Sequence, residues 1–213
     1  MLESTPFWMM PGLLMLGAAL LIAVTRGMAR SAIVLLAPLA ALWATWAVPD
    51  GVSLTATYLD YTVELVEASP VRRLFATIFC IMAFVGGLYA FRTARGYELS
   101  AAFAYAAGAV GVAFAGDLIT LFLFWEMMAI FSTIVVFCGQ GQRSRAAGIR
   151  YAVVHLLGGV ILKVGIETIM VQTGSVDVRA LQAEDFGTWM VLIGVLVNAA
   201  APPLSAWLAD AYP

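Results

Sequence analysis

Apolar positions along the chain gather into seven long runs, at about 7–25, 31–48, 72–91, 100–115, 118–138, 147–171 and 189–209. Twenty such residues wound as a helix reach about 30 Å, the thickness of a bilayer's hydrocarbon core. The pattern predicts an all-α, polytopic transmembrane helix bundle of about seven helices. The second and fourth runs are short, so their helices are expected to extend into flanking polar residues. Only Gly116-Asp117 separates the fourth run from the fifth, which predicts a tight turn between antiparallel helices. The longest polar stretch, roughly 49–70, alternates through Ser53-Leu-Thr-Ala-Thr-Tyr and predicts a short β-hairpin at the membrane surface. The seventh run contains Pro202 and Pro203. Proline has no N–H, so these two free the carbonyls of Asn198 and Ala199, and the helix is predicted to break.

Composition agrees with the pattern. Hydrophobic residues make up 63% of the chain and charged residues 11%, which excludes a soluble domain of this length. A net charge of −2 with no basic tract excludes a nucleic-acid partner. Cys80 and Cys138 lie inside apolar runs, where they behave as small hydrophobes. No disulfide or metal framework is expected. No Cys₄ set, dinucleotide loop or haem pair is present either, so neither a cofactor nor a catalytic centre is expected in this chain. The opening Met1-Leu-Glu-Ser-Thr-Pro has no basic region, and the first run is read as a retained span rather than a signal peptide.

Charge in the connections sets an expected orientation. Arg26 and Arg30, then Arg92 and Arg95, then Arg143, Arg145 and Arg150 fall in alternate loops. The other loops carry Asp50, Asp60, Glu64, Glu67, Asp117, Asp177, Glu184 and Asp185, with Arg72, Arg73 and Arg179 as the exceptions. Basic loops stay in the cytoplasm, so a cell inner-membrane protein with its N-terminus outside is expected.

Candidate chemistry lies inside the spans. Glu126 is the one charge between Leu118 and Phe137, and its neighbours at i±3 and i±4 are all apolar. A charge at bilayer depth costs roughly 2.5–3.5 kcal/mol on insertion scales, so it is usually kept for an ion pathway, a proton relay or a buried partner. Glu126 must meet another helix or water, or stay protonated. Lys163, the single lysine, has Glu167 four residues on and can pair with it on one helix face. His155 lies eight residues earlier, about 80° around the helix and ~12 Å along it, and is a candidate relay group. Gly158-Gly159 between them offers close helix approach or room for water. Each residue also has a purely structural reading: a helix contact for Glu126, a paired charge for Lys163, a packed histidine for His155 and an ordinary kink for the prolines.

These residues carry a family resemblance. Gly116-Asp-Leu-Ile-Thr-Leu-Phe-Leu-Phe-Trp-Glu-Met-Met resembles the glutamate-bearing helix of the antiporter-like subunits of respiratory complex I and of Mrp-type cation/proton antiporters. Arg150-Tyr-Ala-Val-Val-His-Leu-Leu-Gly-Gly resembles the next helix, and Asn198-Ala-Ala-Ala-Pro-Pro-Leu-Ser-Ala-Trp-Leu-Ala-Asp-Ala-Tyr-Pro the broken helix with its exit turn. The likeness covers roughly 70–213 and is nearest the D-like branch of the antiporter proteins. It implies two inverted five-helix repeats, each with a broken helix, in which the Glu126 position pairs with a lysine on the broken helix. Here Asn198 stands where the family often has that lysine, and Lys163 is the candidate stand-in. The chain ends at Pro213, about where the family enters its second repeat. Residues 1–70 are therefore expected to form a two-helix segment with an extracytoplasmic loop, and 71–213 a first half-repeat. A further chain is expected to supply the second half, unless the sequence is a fragment.

The function expected from this reading is proton conduction in a multisubunit membrane complex, with antiport of Na⁺ or another cation. Glu126 would take up and release the proton, Lys163 would modulate it, His155 would extend the relay, and Asn198 would hold water or a cation. The alternatives are a proton-pumping subunit in the membrane arm of a quinone or hydrogenase oxidoreductase, a partner subunit in bicarbonate uptake, and a scaffold whose charges fix helix packing.

Overall fold

The computed structural model describes residues 10–139, 141–178, 184–203 and 205–211. Arg179 and the stretch before Met10 lie outside the described residues. The order is α1 (Pro11–Val24), α2 (Gly27–Ala47), β1 (Gly51–Tyr58), β2 (Tyr61–Ala68), α3 (Pro70–Ala90), α4 (Gly96–Phe114), α5 (Leu118–Phe137), α6 (Gln142–Thr173), α7 (Phe186–Asn198) and α8 (Ala206–Ala211). Helices α2 to α6 are each long and apolar enough to cross a membrane, while α1 and α7 are shorter apolar helices. The second and fourth runs do extend as expected, α2 to 21 residues and α4 to 19.

The chain is thus an all-α membrane bundle with a small hairpin. Strands β1 and β2 pair antiparallel around Leu59-Asp60, with Leu59 at φ 53° in the left-handed region. The hairpin is tied down by the two arginines that open α3. Arg73 donates to the carboxylate of Asp50 and to the carbonyl of Val48, and Arg72 to Glu67 and the carbonyl of Ala115. Arg72 and Arg73, two of the three exceptions to the charge pattern, are therefore paired locally with acids of the hairpin end.

Asp117 is the most connected residue at this end. It is 1% exposed. Its carboxylate caps α5 by accepting from the N–H groups of Ile119 and Thr120 at 2.8 and 2.9 Å. The same carboxylate accepts from the Thr120 hydroxyl at 2.5 Å and from the backbone N–H of Glu64 in the hairpin at 2.7 Å. Capping satisfies donors that a helix start leaves orphaned. The turn after α4 is thereby locked to the hairpin, and the entry of α5 is fixed.

Two apolar clusters hold the bundle. One gathers α1 to α4 and the hairpin around Met15, Ile22, Val34, Phe103 and Phe114. The other joins α5, α6 and α7 around Leu118, Leu162, Ile166 and Val191. Helices α6 and α7 approach unusually closely because glycines face each other. A Cβ on Gly165 would stand 2.8 Å from the Gly187 carbonyl oxygen, and one on Gly194 would stand 2.8 Å from that of Gly158. In lipid there is no hydrophobic force between helices, so such small-residue contacts supply the packing.

Candidate functional site

Glu126 lies midway along α5, and its side chain reaches the Gly158-Gly159 step of α6. A Cβ on Gly159 would fall on Oε1 of Glu126, and a Cβ on Gly158 would fall on Oδ1 of Asn198 from α7. Three helices therefore meet where α6 carries no side chain. Glu126 Oε1 and both amide atoms of Asn198 are buried with no hydrogen-bond partner among the described residues. Buried polar atoms are rarely left so, since each loses the full cost of its desolvation. A polar set of this kind calls for water, a proton or an ion.

His155, one turn before the glycines, lines a cavity of about 180 Å³ together with Asn198, Tyr151, Trp207, Tyr105 and Ser132. It is 7% exposed, and its Nδ1–H donates to the carbonyl of Tyr151 at 3.0 Å. Its ring stacks on Tyr151 with centroids 3.9 Å apart, and Trp207 of α8 meets it edge-on at 4.6 Å. A second, larger cavity of about 960 Å³ adjoins this one and shares Tyr105 and Ser132 as walls. Arg143, Arg150, Glu98 and Asp210 stand around the larger cavity.

Lys163 occupies a different place. It bonds Glu167 at 2.5 Å and sits over the ring of Phe122, 5.6 Å from the centroid. Phe122 precedes Glu126 by one turn of α5, as Lys163 follows Gly159 by one turn of α6, so Lys163 is displaced from Glu126 by one turn, about 5 Å along the axis. The Lys163 and Glu167 side chains are 42% and 59% exposed in the bundle. The structure thus gathers Glu126, Asn198 and His155 around the glycine step and sets the Lys163–Glu167 pair at its edge. Neither Lys163 nor Glu167 lines either cavity.

The helix break falls as expected. Helix α7 ends at Asn198, Ala200 turns into the left-handed region at φ 55°, Pro202 and Pro203 follow, and α8 resumes at Ala206. Sequence reasoning did not single out Trp207, Tyr151 or the ion pair of Arg150 with Asp210 at 2.8 Å. Tyr151 lies four residues before His155, a spacing that places both on one helix face. Trp207 is on another helix, and no local pattern ties it to His155.

Known proteins place this geometry in context. Residues 115–213 match the family model described as NADH:quinone oxidoreductase/Mrp antiporter, TM. The chain is 30% identical over 128 residues to NADH-quinone oxidoreductase subunit N of Deinococcus radiodurans, covering 54% of this chain and 26% of that protein. It is 30% identical over 118 residues to the D component of a probable K⁺/H⁺ antiporter of Rhizobium meliloti, covering 50% and 22%. Matched lengths thus span about a quarter of those curated relatives. In the Mrp complex from Dietzia sp. DQ12-45-1b, a chain of 20% identity shares the fold with a TM-score of 0.79 over 97% of this chain and 25% of its own. The glutamate helix, the glycine-bearing helix and the broken helix all lie in the matched region, and over residues 115–213 the chain is similar to the NADH:quinone oxidoreductase/Mrp antiporter family of membrane proteins.

Proposed function

We propose that this chain conducts protons as one subunit of a multisubunit membrane complex, coupled to antiport of Na⁺ or another cation. The observation that carries the reading is the buried, unpartnered Oε1 of Glu126 against Gly159, beside the equally unpartnered amide of Asn198. A carboxyl group so placed holds a proton or releases it to a neighbouring water, and it has no fixed countercharge to neutralise it. Asn198 supplies an acceptor and a donor, which can orient water or share in coordinating a cation. His155 extends the path toward the larger cavity, since imidazole passes protons between its two nitrogens. Lys163 acts on Glu126 by charge across one turn, in competition with Glu167.

The names of the relatives support two settings for the same chemistry: a gradient-driven antiporter, and the membrane arm of a quinone oxidoreductase. In either, residues 71–213 act as a half-repeat beside further membrane helices, whichever polypeptide supplies them. The distribution of arginines supports an inner-membrane orientation with the N-terminus outside. A cysteine at Gln142 should then react with impermeant reagents only from the cytoplasm, and labelling from outside would reverse this orientation.

The deciding experiment is proton flux in membrane vesicles that carry the assembled complex. Glu126→Gln should abolish flux while assembly persists, because a neutral amide is no more costly to bury than the acid. Flux at the level of the native chain would sink the proposal.

A further inference from the structure

The two cavities share Tyr105 and Ser132 as walls, and Trp207 lines the inner one. We propose that Trp207 is a gate between the larger cavity and the inner cavity of His155 and Asn198, and that the Arg150–Asp210 pair is its latch. Four observations support this.

Trp207 is 8% exposed and packs edge-on against both Tyr151, at 5.1 Å, and His155, at 4.6 Å. It closes one wall of the inner cavity with its ring. Its Nε1–H is buried and finds no acceptor among the described residues. Among the described residues the indole is therefore held by packing, with no hydrogen bond to break when it moves. An unpartnered N–H on a residue that lines the same cavity as Asn198 is also a donor that a passing water can use.

The element that carries Trp207 is suited to small displacement. Helix α8 has six residues and follows the break after Asn198, where the backbone departs from helix at Ala200. Among its ties to the bundle, Arg150 on α6 holds Asp210 through a single 2.8 Å bond from Nε. Both side chains are about half exposed, and both border the larger cavity. An ion pair so wetted contributes little to stability, in the range of surface pairs. It is strong enough to bias where α8 rests and weak enough to open. Lids of this kind control access to buried sites by shifting between two packings.

The gating role rests on reading Asn198 and His155 as part of the proton path. The test does not, because it measures access of a reagent and not transport. In the full chain with Cys80→Ala and Cys138→Ala, a single reporter is introduced as Ala129→Cys, on the α5 wall of the inner cavity. Membrane vesicles are treated with the small, impermeant reagent methanethiosulfonate ethyltrimethylammonium from the side on which a separate Gln142→Cys reporter reacts. The Ala129→Cys reporter should react slowly with Trp207 in place. Open states of such lids are populated at roughly 0.1–10%, so Trp207→Ala should raise its rate by about tenfold or more. Asp210→Asn should raise it by a smaller factor, and Trp207→Phe, which keeps a ring in the wall, should leave it near the starting rate. Where Trp207→Ala fails to assemble, Asp210→Asn decides. Unchanged labelling in Asp210→Asn and in any assembled Trp207→Ala overturns the gate. So does a reporter that reacts as fast as Gln142→Cys while Trp207 is present.

Discussion

The carboxylate of Glu126 lies directly against Gly159 of the neighbouring helix, in the space that a methyl group there would occupy. Glycine at this position is thus a seat for a side chain from α5. Its twin, Gly158, seats the amide of Asn198 from α7 in the same way. Each polar group is seated by the absence of a side chain on α6, and not by any attraction between charges.

Gly159→Ala should therefore separate function from stability. The atom in its way is the tip of a flexible glutamate, which can swing aside, so the stability loss should stay below about 1 kcal/mol while proton flux falls strongly. Gly165→Ala is the contrasting case. Its Cβ would stand 2.5 Å from the backbone nitrogen of Val191, which cannot give way, and overpacking of that kind costs typically about 1–3 kcal/mol. Thermal unfolding in detergent and flux in vesicles would reveal the split. Equal loss of both properties in both variants would refute it.

Lys163→Met removes a cation that stands one turn from Glu126 and is shared with Glu167. At an effective dielectric near ~20, charges within several ångströms couple by about one to a few kcal/mol. Flux should fall severalfold, and Asn198→Lys in the same chain should restore part of it by returning a cation to α7. A pH–flux profile unmoved by Lys163→Met would reduce Lys163 to the partner of Glu167.

Asp117→Ala should be the most destabilising substitution at the hairpin end. It strips the α5 cap, the Thr120 hydroxyl and the Glu64 N–H of their common acceptor. Loss of a cap and of further buried bonds amounts to about 2–4 kcal/mol. The expected signature is a lowered melting temperature together with faster proteolysis of the hairpin. Asp117→Asn, which keeps one acceptor oxygen, should lose less.

Glu64 gives a pH dependence outside the membrane spans. Partial burial, then the nearby carboxylates of Glu67, Asp177 and Asp117, push its proton affinity above the ordinary carboxylate value, with Arg72 opposing. The folded chain thus holds this proton more tightly than the unfolded chain does. Stability is lost as pH rises from the unfolded toward the folded value, and the penalty is fully present above both. Glu64→Gln should remove that penalty while keeping the backbone bonds to Gly116 and Asp117. Its melting temperature should exceed that of the native chain at neutral pH, and the difference should vanish in acid. A difference that grows in acid would contradict the assignment.

Local pattern was enough for the elements. Span positions, the surface hairpin, the tight turn at Gly116-Asp117 and the break before Pro202 all follow from hydrophobic runs and from backbone rules that act within a few residues. The Lys163–Glu167 bond was legible for the same reason, since i and i+4 share a helix face. The isolation of Glu126 within its own helix was equally local.

What surrounds Glu126 was decided by tertiary structure. Whether it faces Lys163 or Gly159 depends on the register of α5 against α6, which large residues and glycines on both helices set jointly. Asn198 reaches the same spot only because Gly158, Gly165, Gly187 and Gly194 let α7 close on α6. Trp207 covers His155 because the break redirects α8 back onto α6, where Arg150 holds Asp210. Asp117 reads in sequence as one loop acid among several, yet the fold buries it between a helix start and a hairpin. A sequence specifies periodicity one helix at a time, whereas these contacts arise from shape matching between helices far apart in the chain.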